Sequence, residues 1–170
     1  QMGCEKNRVE KEIERLNRYV DTNEKQIVHT NIELLEEGDQ VFNFEVLEVM
    51  GHSLDHLAFY HRESKQILVG DHMIKHMSSN ALIDLGPNGE RPLSLVMYEK
   101  SLKRLFDLPI ELAFSGHGEV IDQPYPLLEE KLERIEKRGN LILQMLFSWK
   151  TPAQIAKEVY KERYDSLFPL

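Results

Sequence analysis

Residues 44–56 read FEVLEVMGHSLDH, and this stretch decides how the rest of the chain is read. Phe44, Val46 and the pair Val49/Met50 interleave with Glu45 and Glu48, the pattern of a strand with one buried face. The strand runs straight into Gly51-His52. Glycine permits a sharp turn and a close approach of backbone to a bound group. The same arrangement recurs twice: Ile67–Val69 leads into Gly70-Asp71, and Leu112–Phe114 leads into Ser115-Gly116-His117-Gly118. If the three strands point the same way, His52, Asp71 and His117 converge on one rim. Two neutral imidazoles and a carboxylate there suit zinc or a similar ion.

Around these strand ends the chain divides into three regions. Residues 1–22 form a leading amphipathic helix, with Val9, Ile13, Leu16 and Val20 on one narrow stripe of Glu5–Val20. Residues 23–122 hold the strands: Gln26–His29, then a turn at Glu36-Glu37-Gly38-Asp39, then Val41-Phe42 and the 44–50 run. Leu57–Tyr60 and Gln66–Val69 follow, joined by the hairpin-length Arg62-Glu63-Ser64-Lys65, so an antiparallel meander is expected. Pro92 opens a periodic run with Leu95, Val96, Leu102, Leu105 and Phe106 on one helix face. Residues 123–170 form a helical extension. In it Leu127–Trp149 reads as a long helix, and Thr151-Pro152 starts another that carries Ile155, Ala156, Val159 and Tyr160.

The chain of 170 residues is sized for one domain, and 41% hydrophobic with 29% charged residues is the balance of a chain that buries a core. No apolar run reaches the roughly 18–20 residues of a membrane helix, and residues 1–6 lack the apolar core of a secretion signal. Cys4 is the only cysteine, which excludes an internal disulfide and a cysteine-based zinc motif. A soluble, cytoplasmic protein without a membrane partner is expected. Lys and Arg total 21 against 29 Asp and Glu, a net charge of −8, which argues against a broad basic face for nucleic acid. It leaves room for a nuclease, because metal ions can supply the positive charge where phosphate binds. Five of the seven histidines fall between His52 and His76.

Taken together, Gly51-His52-Ser53-Leu54-Asp55-His56, Val69-Gly70-Asp71-His72 and Ser115-Gly116-His117-Gly118 resemble, in this order and at intervals of 19 and 46 residues, the G-H-S/T-x-x-H, G-D and G-H-G elements of the metallo-β-lactamase superfamily. The Arg91-Pro92-Leu93-Ser94-Leu95 helix start and the long helix after Gly118 are most similar to its glyoxalase-II-like and lactamase-like hydrolase branch. The resemblance implies an α/β (α+β) fold: half of an αββα sandwich with a C-terminal helical, winged-helix-like extension. It also implies two zinc ions, with manganese or iron as other candidates. His52 would be a ligand of the first metal, Asp71 the catalytic bridging ligand that positions hydroxide, and His117 a ligand of the second. The intact parent would hydrolyse a small-molecule or phosphodiester substrate, as an ester, thioester or phosphodiester, through metal-bound hydroxide.

The superfamily's upstream H-x-H-x-D-H signature is absent, since His29 is the only histidine before His52. The chain is therefore expected to be a fragment holding the second half of the fold, inactive alone, with partial or no zinc occupancy. Two alternatives stay open. One is a non-catalytic half-domain acting in assembly, as a homodimer or with a complementary N-terminal half. The other is a nucleic-acid-processing or binding protein using Pro152–Tyr164. Asp55 and His56 divide between turn capping and orienting a ligand from behind, and His72 and His76 stand as residues near substrate at the rim. His29 and His61 read as surface or edge-strand residues. Trp149 with Met145, Leu146 and Phe147 reads as a packing seam, or else as an exposed patch that awaits a missing partner segment, and the Glu129–Arg138 charge run as a solvated helix face.

Overall fold

The alternating pattern of residues 44–70 folds, in a computed structural model, into one mixed sheet. The structure describes residues 10, 11, 13–15, 17, 18, 33–77, 79–83, 85, 86 and 88–161. Five strands follow one another in sequence order: β1 (Gln40–Val41), β2 (Phe44–Glu48), β3 (Leu57–His61), β4 (Gln66–Gly70) and β5 (Leu112–Ser115). The first four are antiparallel neighbours, as expected, and β5 joins β4 in parallel. Two antiparallel steps restore the direction of β2 in β4. The ends of β2, β4 and β5 therefore share one edge of the sheet, although β3 lies between β2 and β4. A parallel neighbour needs a crossover, and here it contains helix α1 (Ser94–Leu105).

Strand register sets two faces. Glu45, Tyr60, Ile67 and Ala113 stand opposite one another across four strands, and Leu47 faces Ala58. Tyr60, Ile67, Ala113, Leu47 and Ala58 are buried with Leu102 and Leu105 of α1 and Leu128 of helix α2 (Pro124–Met145). Each fully buried leucine or isoleucine contributes about 1.5–3 kcal/mol. The Tyr60 hydroxyl donates to the Pro109 carbonyl at 2.9 Å, so its polar end is satisfied within the core. The adjacent row, Val46, Phe59, Leu68 and Phe114, is also apolar. A sheet apolar on both faces is built to be covered on both sides.

Some boundaries differ from the sequence expectation. Phe42 leaves the strand and, with Asn43, forms the two-residue connection between β1 and β2, exposed and at φ +54. On α1 the buried stripe is Ser94, Tyr98, Ser101, Leu102 and Leu105, while Leu95 and Val96 point outward. The small serines let α1 approach the turn after β2, where the Ser101 hydroxyl donates to the Met50 carbonyl at 2.7 Å. Helix α2 begins three residues before Leu127, because Pro124 and Pro126 in a first turn forfeit no helical hydrogen bond. It ends four residues before Trp149, where the Leu146 N–H turns back to the Leu143 carbonyl.

The chain forms two compact units, residues 33–136 and residues 1–32 with 137–170. The first carries the sheet and the core. In the second, positions 10, 11, 13–15, 17 and 18 are helical. The rest of the leading segment and the Gln26–His29 strand lie outside the described residues. Helix α3 (Pro152–Tyr160) is capped as the Thr151-Pro152 pair predicts: the Thr151 hydroxyl accepts from the Gln154 N–H, and the Gln154 side chain accepts from the Thr151 N–H. Leu146, Phe147 and Trp149 are exposed, so of the two readings for this cluster the exposed patch agrees with the structure and the packing seam does not. Among the described residues no helix is long and apolar enough to cross a membrane.

Candidate metal centre

At the end of β2 the chain needs glycine. Gly51 sits at φ +134, and a Cβ there would lie 2.3 Å from the Tyr98 Cα. The turn delivers His52 to the shared sheet edge with its side chain 22% exposed. Its Nδ1 lies 2.7 Å from the Asn80 carbonyl oxygen. A carbonyl only accepts, so Nδ1 carries a proton, and in a neutral ring this leaves the lone pair on Nε2. Nε2 faces the carboxylate of Asp71, 3.8 Å from Oδ2.

The loop after β5 arrives from the other side. Gly116 lies against the carboxylate so closely that a Cβ would stand 2.6 Å from Asp71 Oδ1. The Gly116 N–H donates to the Gly70 carbonyl at 2.9 Å and the Ser115 hydroxyl donates to the Met73 carbonyl, which joins the ends of β4 and β5. His117, 68% exposed, places its Nε2 3.5 Å from the same Asp71 Oδ2. The structure thus brings His52, Asp71 and His117 together from three strand ends.

These separations exceed the 2.7–3.2 Å of an N–H···O hydrogen bond. With zinc–ligand bonds of about 2.0–2.2 Å at a tetrahedral angle, two donors sharing an ion stand roughly 3.4 Å apart. The separations of 3.5 and 3.8 Å approach that value, and Oδ2 is common to both pairs. Donor type and spacing are therefore those of ligands to a metal ion. Donor number falls short, since each pair supplies two of about four ligands. Among the described residues no group of three or more His, Cys, Asp or Glu surrounds a single ion position.

The remaining candidates separate by burial. His56 is half-buried; its Nε2–H donates to the Val69 carbonyl at 3.1 Å and its ring meets His52 edge-on at 5.6 Å. It ties the turn after β2 to the end of β4, and burial holds its imidazole below the ordinary range. Asp55 is exposed and lies in the short turn ahead of β3. His72 is no rim residue: it is completely buried, edge-on to Tyr98 at 4.8 Å. Neither of its ring nitrogens has a hydrogen-bond partner among the described residues. Burial pushes its pKa down to about 3, so it stays neutral near pH 7. His76 is exposed at φ +62 in a turn and shares no helix face with His72. His61 accepts from the Ser64 N–H and pairs with its hydroxyl in the β3–β4 turn. Cys4 and His29 lie outside the described residues.

One residue of consequence escaped the sequence. Lys131, placed with the solvated charge run, is 6% exposed. Its ammonium donates to the Met77 carbonyl at 3.2 Å and the Ser79 hydroxyl at 3.3 Å. The signal was present: Leu128, Lys131, Leu132 and Ile135 recur at the spacing of one helix face, and the buried stem of a lysine is as apolar as its neighbours.

No family model matches the chain. "Probable metallo-hydrolase YqjP" of Bacillus subtilis (strain 168) is 30% identical over 129 residues, which make up 75% of this chain and 40% of that protein. "Atrochrysone carboxyl ACP thioesterase" of Aspergillus fumigatus is 29% identical over 112 residues, covering 63% of this chain and 32% of that one. The chain thus spans less than half the length of these curated relatives. Among solved structures, a metallo-β-lactamase family protein from Thermus thermophilus superposes with a TM-score of 0.69 at 27% identity. That match covers 85% of this chain and 49% of the other. With the three strand-end motifs, in the superfamily's order, gathered at one sheet edge, and with these relatives, the chain belongs to the metallo-β-lactamase superfamily.

Proposed function

We propose that the chain carries one wall of a binuclear metal-dependent hydrolase centre, in which Asp71 is shared between two zinc ions, His52 serves one and His117 the other. The observation that carries this assignment is the single carboxylate oxygen, Asp71 Oδ2, flanked by His52 Nε2 at 3.8 Å and His117 Nε2 at 3.5 Å. When bound, the metals supply Lewis acidity toward the scissile carbonyl or phosphoryl oxygen and lower the pKa of water for attack. The chain's own residues do the positioning. The Asn80 carbonyl holds the His52 proton on Nδ1 and so reserves Nε2 for an ion. Gly116 leaves room for the carboxylate. The His56 ring stands edge-on behind His52, and the buried His72 ring lies behind His56.

The substrate class we propose is an ester or thioester, with a phosphodiester next. A relative named as a carboxyl ACP thioesterase supports the thioester. The helix start at residues 91–95 and the long helix after Gly118 support the glyoxalase-II-like branch, and a cytoplasmic site of action belongs to the same proposal. Zinc(II) titrated into the chain, followed through the imidazole NMR signals, tests it. The signals of His52 and His117 should move together, those of His61 should not, and Asp71→Ala should abolish the response. Zinc that leaves both histidines unchanged overturns the assignment.

The shortfall of donors favours a second reading, a half-domain that acts in assembly with another copy or a complementary segment. Negligible zinc after growth in zinc-containing medium, with no hydrolysis of thioester or phosphodiester probes, would leave that reading alone.

A further inference from the structure

The 71–80 segment links Asp71 to the carbonyl that orients His52, and two helices reach beneath it. From α1, the Tyr98 hydroxyl donates to the His72 carbonyl at 2.8 Å. From α2, the Lys131 ammonium donates to the Met77 carbonyl at 3.2 Å and the Ser79 hydroxyl at 3.3 Å. Ser79 directly precedes Asn80, whose carbonyl receives the His52 Nδ1–H at 2.7 Å. A buried ammonium is costly unless its protons are used, and the acceptors it uses here are those of one loop.

We propose that Lys131 is a positioning residue for His52: by anchoring Met77 and Ser79 it sets the Asn80 carbonyl, and through it the ring tautomer that frees Nε2 for a cation. The proposal rests on the metal reading of His52 for its purpose but not for its geometry, since the tautomer exists without metal. Loss of an outer partner that orients a ligating histidine costs about 10–100-fold in metal affinity. Lys131 acts one step further out, so the lower end of that range is expected.

The test uses the whole chain without metal, with the nitrogen-15 and proton signature of the His52 ring as first readout and zinc titration as second. The wild-type ring should show a protonated Nδ1. In Lys131→Met it should become a mixture of tautomers, with zinc bound about tenfold more weakly, and Lys131→Arg should recover most of both. If Lys131→Met fails to fold, Ser79→Ala, which deletes one of the two acceptors, should move the tautomer in the same direction by less. A wild-type tautomer in whichever of these two variants folds overturns the proposal. Should the wild-type chain bind no zinc while the tautomer still depends on Lys131, the metal reading fails and the positioning role stands.

Discussion

The two histidine arms that meet at Asp71 are built differently. His52 follows a glycine wedged against α1, is mostly buried, and has its far nitrogen fixed by the Asn80 carbonyl. His117 follows a glycine that makes room for the carboxylate itself, and is mostly exposed. Among the described residues its nitrogens face no partner other than Asp71. One arm is held at its far nitrogen by a hydrogen bond; the other reaches the same carboxylate with no hydrogen bond, among the described residues, to fix its far nitrogen. Preorganisation lowers the ordering cost of binding, so the His52 side should take up the first cation and the His117 side the second.

The largest effect that could break this comparison comes from the residue both arms share. Asp71→Ala should remove zinc binding at both, a loss beyond the 10–100-fold that outer partners command, read by calorimetric titration. Retention of one tight site would show that an arm binds without the shared oxygen. Gly51→Ala comes next. Its Cβ would fall 2.3 Å from the Tyr98 backbone at a φ that side chains rarely adopt, so a loss of about 3 kcal/mol is expected in urea unfolding. A smaller loss would mean that the His52 turn is less tightly built than its geometry implies.

The arms separate directly in a paired substitution. His52→Ala should weaken the first zinc-binding event by more than His117→Ala does, by roughly tenfold if the Asn80 contact has the usual worth of an outer partner. Equal losses would remove the distinction between an arm fixed at its far nitrogen and one that is not.

The smallest expected effect is a pH dependence. Desolvation lowers the Lys131 pKa to about 8, against about 10.4 for an unperturbed lysine. Between those values the unfolded chain binds more protons than the folded one, so stability attributable to Lys131 should rise with pH from about 8 to about 10.4. Urea unfolding of wild type and Lys131→Met across that window should show the rise only in the wild type. Parallel curves would place the ammonium in solvent and detach α2 from the His52 arm.

Legibility in the sequence followed the range of the physical signal. Period-two alternation and hairpin-length turns are local, so β2, β3 and β4 were readable to within a residue or two. The three strand ends were readable because each couples glycine to a ligand-type side chain. Their convergence required the direction of β5, which the sequence could only state as a condition. Burial was the weaker part. His72 looked like a rim residue because it follows Asp71, yet the turn sends successive side chains to opposite sides and drives it against Tyr98. Lys131 looked solvated because its neighbours Glu129, Glu130 and Glu133 are charged, yet it falls on the stripe of Leu128 and Ile135. The Asn80 carbonyl has no sequence signal, since every residue carries one.

Zinc(II) diffused into crystals of the chain and located by its anomalous scattering tests the central claim most directly. Density should appear within about 2.0–2.2 Å of Asp71 Oδ2 and His52 Nε2, with a second, weaker peak toward His117. Zinc settled on other residues, with His52 and Asp71 left side by side and unbridged, would contradict it.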